Sequence, residues 1–191
     1  IPKKMKKGNV INIVRHSMIY PNKIDINILN NTAEILKSLQ KKHNKKIVFT
    51  VCGDGNEYRD ELKNYCEEIF PDLIKFQPGK KIFDTLSMGD IYLYNTPSNS
   101  LEGFSNAISE AQAMGLPIVA DNKGGNIEQI LYGGFLCTNW KDVRSELDKL
   151  VESQNLREKY GEISREKIRS RGGLEVLSKK YHEIFLESWN N

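Results

Sequence analysis

The stretch IYLYNTPSNSLEGFSNAISEAQAMGLPIVAD, residues 91–121, decides the fold. Ile91–Tyr94 is an uninterrupted apolar run that stops at Asn95-Thr96-Pro97, residues that favour a turn. After a Gly103-Phe104 step come Ser105 and Asn106, both good N-cap types. Ala107, Ile108, Ala111 and Met114 then recur at helical spacing up to Gly115. Pro117–Asp121 reads as a second strand. Strand, helix and strand make a βαβ unit, in which a crossover helix forces the strands to be parallel.

The same alternation extends in both directions. Strands are expected at Val10–Arg15, Lys46–Cys52, Leu73–Phe76 and Phe135–Cys137, and helices at Ile26–His43 behind an Asp25 cap, Glu57–Phe70, Lys81–Ser87, Asn106–Met114 and Asn126–Leu131. Beyond the sixth strand only helices follow: Asp142–Ser153, Leu156–Arg171 and Leu174–Trp189. The runs VINIV, IVFTV, IYLY and PIVA are nearly all apolar, as in strands covered on both faces. The expected class is α/β: a Rossmann-like parallel six-stranded sheet with helices on both faces, spanning residues 10–172. Residues 1–9 read as a basic linker or a cut boundary. Residues 173–191 read as a terminal helix with Leu174, Leu177, Tyr181, Phe185 and Trp189 on one stripe.

Composition narrows the function classes. The 191 residues carry 28 Lys+Arg against 25 Asp+Glu, a net charge of +3, with 39% apolar types. That suits one domain able to bury roughly 70% of its unfolded surface. No apolar run approaches the ~20 residues that span a bilayer, and residues 1–10 lack a signal-peptide core, so a cytoplasmic location is expected. Lys3, Lys4, Lys6 and Lys7 read as a solvated linker, the alternative being peripheral contact with anionic lipid at the inner membrane face. A charge of +3 lacks the concentrated basic patch of nucleic-acid binders. Cys52, Cys66 and Cys137 are odd in number and widely spaced, which argues against a disulfide framework or a zinc knuckle.

In parallel sheets ligands bind beyond the carboxyl ends of the strands, which directs attention to the loops starting at Arg15, Gly53, Gln77, Asn95, Asp121 and Thr138. In the loop after Ile91–Tyr94, a glycine stands beside a helix start whose N–H groups lack partners, a combination that suits an anion. On that helix Glu110 lies about 80° from the centre of the apolar stripe at about 100° per residue, at the border of the buried face.

Glu102-Gly103-Phe104, Glu110-Ala111, Gly115-Leu116-Pro117, Gly124-Gly125 and Glu128 follow one another in order. This segment resembles the donor-binding half of retaining GT-B glycosyltransferases, in particular glycosyltransferase family 4, and more loosely the resemblance covers most of the chain. It implies the C-terminal half of a GT-B fold and transfer of a sugar, with retention, from a UDP- or GDP-sugar. The acceptor would be a saccharide or a lipid-linked sugar held by an N-terminal domain, toward which the terminal helix would cross. A bacterial surface-polysaccharide pathway is the family-level expectation. The resemblance further implies that Glu110 accepts from the ribose hydroxyls, that Glu102 with the backbone of Gly103 and Phe104 holds the donor sugar, and that the helix start at Ser105 and Asn106 faces the diphosphate. Gly124 and Gly125 would allow close approach at the next strand's exit.

The family also places a cationic pair on the diphosphate, chemically apt because a departing nucleoside diphosphate develops charge. Arg15 matches by its position, at the end of the first strand. Lys23 lies two or three residues beyond the usual spacing, and Val14 and Ile24 stand where glycines are usual, so Lys23 reaches the phosphate from a bulged loop or the site is altered. His16, as a loop histidine, is left outside the catalytic set. Gly53-Asp54-Gly55 lacks the third glycine of a dinucleotide fingerprint and has no P-loop lysine; Gly53 supports the same resemblance, and Gln77–Lys81 is where the family meets the base. No cofactor or metal is expected, since the Asp-x-Asp motif of metal-dependent transferases is absent. The rivals are a non-catalytic nucleotide-sugar-binding module and a GT-B-type epimerase or phosphorylase. A glycosidase fits poorly, because Glu102 and Glu110 share one loop-helix unit instead of flanking a cleft.

Overall fold

The computed structural model of the chain describes residues 9–100, 103–130, 133–172, 178–179 and 182–183. Six strands form one sheet: β1 (Val10–His16), β2 (Lys46–Cys52), β3 (Ile74–Gln77), β4 (Ile91–Tyr94), β5 (Ile118–Asp121) and β6 (Gly134–Cys137). Their order is β3-β2-β1-β4-β5-β6, and every pairing is parallel. The sheet grows outward from β1 to β3, then β4 returns to the other side of β1, with Ile13 opposite Ile91 and Val14 opposite Tyr92. Loops leaving β1 and β4 therefore diverge, which opens a crevice at this switch point.

Side-chain alternation along the strands divides the interior in two. Ile13, Ile91, Leu93 and Val119 join one core with α1 (Ile26–His43), α2 (Glu57–Ile69) and α6 (Trp140–Glu152). Val14, Tyr92, Tyr94, Ile118 and Ala120 join the other with α3 (Ile82–Met88), α4 (Asn106–Ala113) and α5 (Asn126–Ile130). Asp25 caps α1 as expected, accepting from the Ile28 N–H at 2.8 Å. Helix α6 begins two residues before the expected Asp142, because the Asn139 side chain accepts from the N–H groups of Lys141 and Asp142. Apolar spacing registers only Val143 as the first buried position there, so the cap sets the start. Helix α7 (Gln154–Gly172) closes the described domain. The basic segment 1–8 and nearly all of the terminal segment 173–191 lie outside the described residues.

The long β1–α1 loop owes its length to extra pairing. Past His16 the chain continues beside the β2 exit, where the Ser17 N–H donates to Cys52 O at 3.1 Å and the Ile19 N–H to Asp54 O at 2.9 Å. Ile19 forms a parallel bridge to Gly55 and is buried. The β3 exit joins through the Gly53 N–H on Gln77 O at 3.0 Å and the Gly79 N–H on Asp54 Oδ1 at 2.8 Å. Gly53 is required by this close approach, since a Cβ there would stand 1.8 Å from Ser17 O. All three cysteines are free and buried, and burial pushes the Cys66 and Cys137 thiols up to about 12.

Gly53→Ala must separate two hydrogen-bonded backbones, which costs about 2 kcal/mol or more and lowers the melting midpoint by roughly 4–8 °C. Gly103→Ala, whose Cβ would meet nothing within 4 Å, should melt close to the wild type. Equal midpoints for both variants in thermal denaturation would contradict this account of the loop.

Candidate functional site

A cavity of about 500 Å³ opens beside the β1 exit, a size typical of small-molecule sites. The β1 exit contributes His16, Ser17 and Met18, the β2 exit Gly53 and Asp54, the β3 exit Gly79 with Ile82, and α4 Asn106, Ala107 and Glu110. Gly53, Asn106 and Glu110, scattered in sequence, thus share one cavity.

Glu110 departs from its expected place at the border of the buried face. Its side chain is 55% exposed, and its Oε2 is 2.6 Å from Nε2 of His16, which is only 3% exposed. On the inner side of the imidazole, the Tyr92 hydroxyl lies 3.2 Å from Nδ1 and donates to His16 O at 3.1 Å. His16 is therefore a buried member of the site, although a lone loop histidine next to a strand offers little sign of it. Its place on the strand beside the switch point is the one signal that could have found it. Burial pushes the His16 imidazole below its ordinary value, against the upward pull of the Glu110 hydrogen bond and charge, with Arg15 adding to the lowering. Burial pushes the Tyr92 phenol far up.

Arg15 corrects an expectation. Its side chain is 0% exposed, its guanidinium donates to the carbonyl oxygens of Asn95 and Lys23, and it sits 4.7 Å over the Tyr94 ring. In this structure it does not line the cavity. It ties the β4 exit to the turn ending at Lys23 through its two terminal nitrogens, because burying a guanidinium is costly unless it finds acceptors. Lys23 is half-buried, and its N–H donates to Tyr20 O at 2.8 Å.

Helix α4 starts as expected at Asn106, but Ser105 makes no side-chain cap bond, which leaves the helix start to other partners. Ser105 is buried and held by Gln129: its N–H donates to Oε1 at 2.9 Å, and its carbonyl accepts from Nε2 at 2.7 Å. Gln129 has no apolar or charged signature in sequence and emerges only from this contact. Gly125 also changes meaning. A Cβ there would meet Gly103 O at 2.2 Å, so the close approach it permits is that of the Gly103-Phe104 backbone. Gly124 takes the left-handed φ of 54° that turns the chain into α5. Gly103 and Phe104 are exposed, and the Arg171 guanidinium lies 5.5 Å over the Phe104 ring. Glu102 lies outside the described residues.

A second cavity of about 560 Å³ lies at the exits of β4, β5 and β6. Asp121 organises its wall: Oδ2 accepts from the Thr96 hydroxyl at 2.8 Å and pairs with Lys123 Nζ at 3.1 Å. Oδ1 accepts from Asn126 Nδ2 at 2.6 Å. Among the described residues, no group of three or more His, Cys, Asp or Glu side chains could hold a metal ion, and no helix is long and apolar enough to cross a membrane.

The model of the family described as "Glycosyl transferases group 1" matches residues 29–167. An uncharacterized glycosyltransferase of Methanocaldococcus jannaschii, MJ1069, is 27% identical over 165 residues, 82% of this chain and 41% of the relative. The capsular polysaccharide biosynthesis glycosyltransferase CapM of Staphylococcus aureus is 26% identical over 88 residues, 44% of this chain and 23% of the relative. Among solved structures, a mutant of S. aureus TarM in complex with fondaparinux, alpha-GlcNAc-glycerol and UDP superposes with a TM-score of 0.75 at 19% identity, covering 97% of this chain and 38% of that one. The chain spans less than half the length of each of these proteins.

The buried His16 makes stability pH-dependent. Its folded pKa is lowered from 6.5, so the unfolded chain takes up a proton first as pH falls. The stabilisation is fully present above about pH 7.5 and is lost as pH drops through 6.5 toward the folded value. Thermal melts between pH 8 and pH 5 should show a steeper acid loss for wild type than for His16→Gln. Parallel curves would contradict this burial of a neutral imidazole.

Proposed function

Because the chain belongs to the glycosyl transferases group 1 family and has the Rossmann-like α/β fold of GT-B glycosyltransferases, we propose that it carries the donor site for transfer of a sugar from a UDP- or GDP-sugar, with retention of configuration. The observation that supports this most is Glu110, a half-exposed carboxylate held by His16 at the rim of a nucleotide-sized cavity, one helical turn from the open start of α4.

In this reading Glu110 accepts from the ribose hydroxyls, and the β2 and β3 exits around Gly53 and Gly79 shelter the base. The α4 start at Ser105 and Asn106 and the Lys23 ammonium face the diphosphate, while Glu102 and the backbone of Gly103 and Phe104 hold the sugar. Arg15, buried on carbonyls, serves as a positioning residue whose charge contributes to the field below the diphosphate. The bond between the sugar's anomeric carbon and the phosphate oxygen breaks, and its electron pair leaves with the nucleoside diphosphate. The acceptor oxygen bonds the same face, and its proton passes to the departing phosphate. Positioned N–H groups and a cation lower the barrier by stabilising that developing charge. No metal or other cofactor has a role in this scheme.

UDP in the TarM complex supports a uridine donor for the present chain, and the name of CapM supports a saccharide or lipid-linked acceptor in surface-polysaccharide synthesis. The acceptor site is proposed to lie outside these 191 residues, with the enzyme cytoplasmic and at most peripheral to the membrane. The engagement of Arg15 by the Asn95 and Lys23 carbonyls favours one second reading, a module that binds the nucleotide sugar without transferring it.

Titration calorimetry of the full chain separates these readings from no donor site at all. Binding of UDP or GDP is expected, and Glu110→Ala should weaken it about 10–100-fold, the worth of one or two bonds to a charged acceptor. Unchanged affinity in that variant would overturn the donor assignment. These 191 residues alone are expected to bind and not transfer; transfer with retention by the protein that includes the acceptor-binding domain, read from the anomeric signal of the product by NMR, would favour the enzyme over the binding module.

A further inference from the structure

We propose that His16 is a positioning residue for the donor site: a buried imidazole that fixes the Glu110 carboxylate by linking it to the Tyr92 hydroxyl. The proposal rests on the reading of Glu110 as the ribose acceptor.

The geometry argues it from both ends. Glu110 stands on an eight-residue helix with its side chain 55% exposed, and an exposed carboxylate on a flexible stem ordinarily samples several rotamers. Here one oxygen is anchored at 2.6 Å on a ring that is itself 3% exposed. That ring is held at its far side by a hydroxyl that is 0% exposed, 3.2 Å from Nδ1. A neutral imidazole can carry its proton on Nε2, donate to Glu110 Oε2 and accept on Nδ1 from the Tyr92 O–H. A protonated imidazole donates from both nitrogens, and the Tyr92 hydroxyl then turns fully to His16 O, which it already reaches at 3.1 Å. Either state keeps Glu110 Oε2 tied and leaves Oε1 to accept from a ligand. The charged and titratable groups around the ring are Glu110 from α4, Tyr92 from β4 and Arg15 from β1, with Asp54 also lining the cavity.

Held in advance, a carboxylate loses less freedom when it binds. His16 should therefore act on affinity and only through Glu110. With UDP and GDP as probes on the full chain, His16→Ala should weaken binding about fivefold to tenfold, a few rotamers' worth of ordering. His16→Gln, whose amide can still donate toward Glu110, should recover most of it. In the Glu110→Ala background, His16→Ala should have no further effect. In a transfer assay of the protein that includes the acceptor-binding domain, the loss should fall on the donor KM with kcat nearly unchanged.

Two outcomes are distinguishable. If Glu110→Ala leaves nucleotide affinity unchanged, or wild type binds neither nucleotide, the donor reading fails and the positioning role with it. If Glu110→Ala weakens binding but His16→Ala does not, or the two losses simply multiply in the double variant, only the role of His16 is overturned. A ligand-free measurement covers the case in which His16→Ala does not fold. NMR titration of the His16 ring in Glu110→Gln should show a lower midpoint than wild type, since the carboxylate raises it. Equal midpoints would mean that the contact does not form in solution.

Discussion

The buried guanidinium of Arg15 is the constraint around which the site is arranged. A full positive charge with no exposure, at the point where the sheet changes its direction of growth, must find acceptors there. It takes them from two chain segments that no backbone ladder connects, the carbonyl of Asn95 beyond β4 and that of Lys23 before α1. The Tyr94 ring covers its remaining face. Both loops that leave the switch point are thereby referred to a single group. Removing that group would leave the Asn95 and Lys23 carbonyls to find other partners.

Two different kinds of order meet across the cavity. On the β1–β3 side the loops are stitched backbone to backbone, with Ser17 on Cys52, Ile19 on Asp54 and Gly53 on Gln77. On the α4 side the backbone is held by side chains: Gln129 grips Ser105 from both its N–H and its carbonyl, and Asp121 gathers Thr96, Lys123 and Asn126. The first kind leaves little freedom. The second depends on a few rotamers.

Much of this architecture could be read from the residues. The apolar runs of β1, β2, β4 and β5 and the cap at Asp25 placed the elements within a residue or two, because strand burial on two faces and helix capping leave direct marks in sequence. The ordered glutamate, glycine and proline pattern between Glu102 and Glu128 pointed to α4 and its loop by its family resemblance. Local pattern failed for Arg15, His16 and Gly125. Whether an arginine at a strand end faces a ligand or a pair of carbonyls depends on segments 8 and 80 residues away. Whether a glycine admits a ligand or a neighbouring loop depends on which backbone arrives there. His16 meets Glu110 across 94 residues, a separation at which periodicity carries no information.

The sequence determined the parallel sheet, its two-sided burial, the helix starts and the chemistry available at the strand exits, because each of these follows from spacing and side-chain type over a few residues. Tertiary structure decided which of those groups line the cavity and which are buried behind it. Arg15 became a buried tie, His16 a buried partner of an exposed carboxylate, and Gly125 a seat for another loop. The difference is one of range: propensity and periodicity act along the chain, whereas desolvation and hydrogen-bond satisfaction depend on what folding brings alongside.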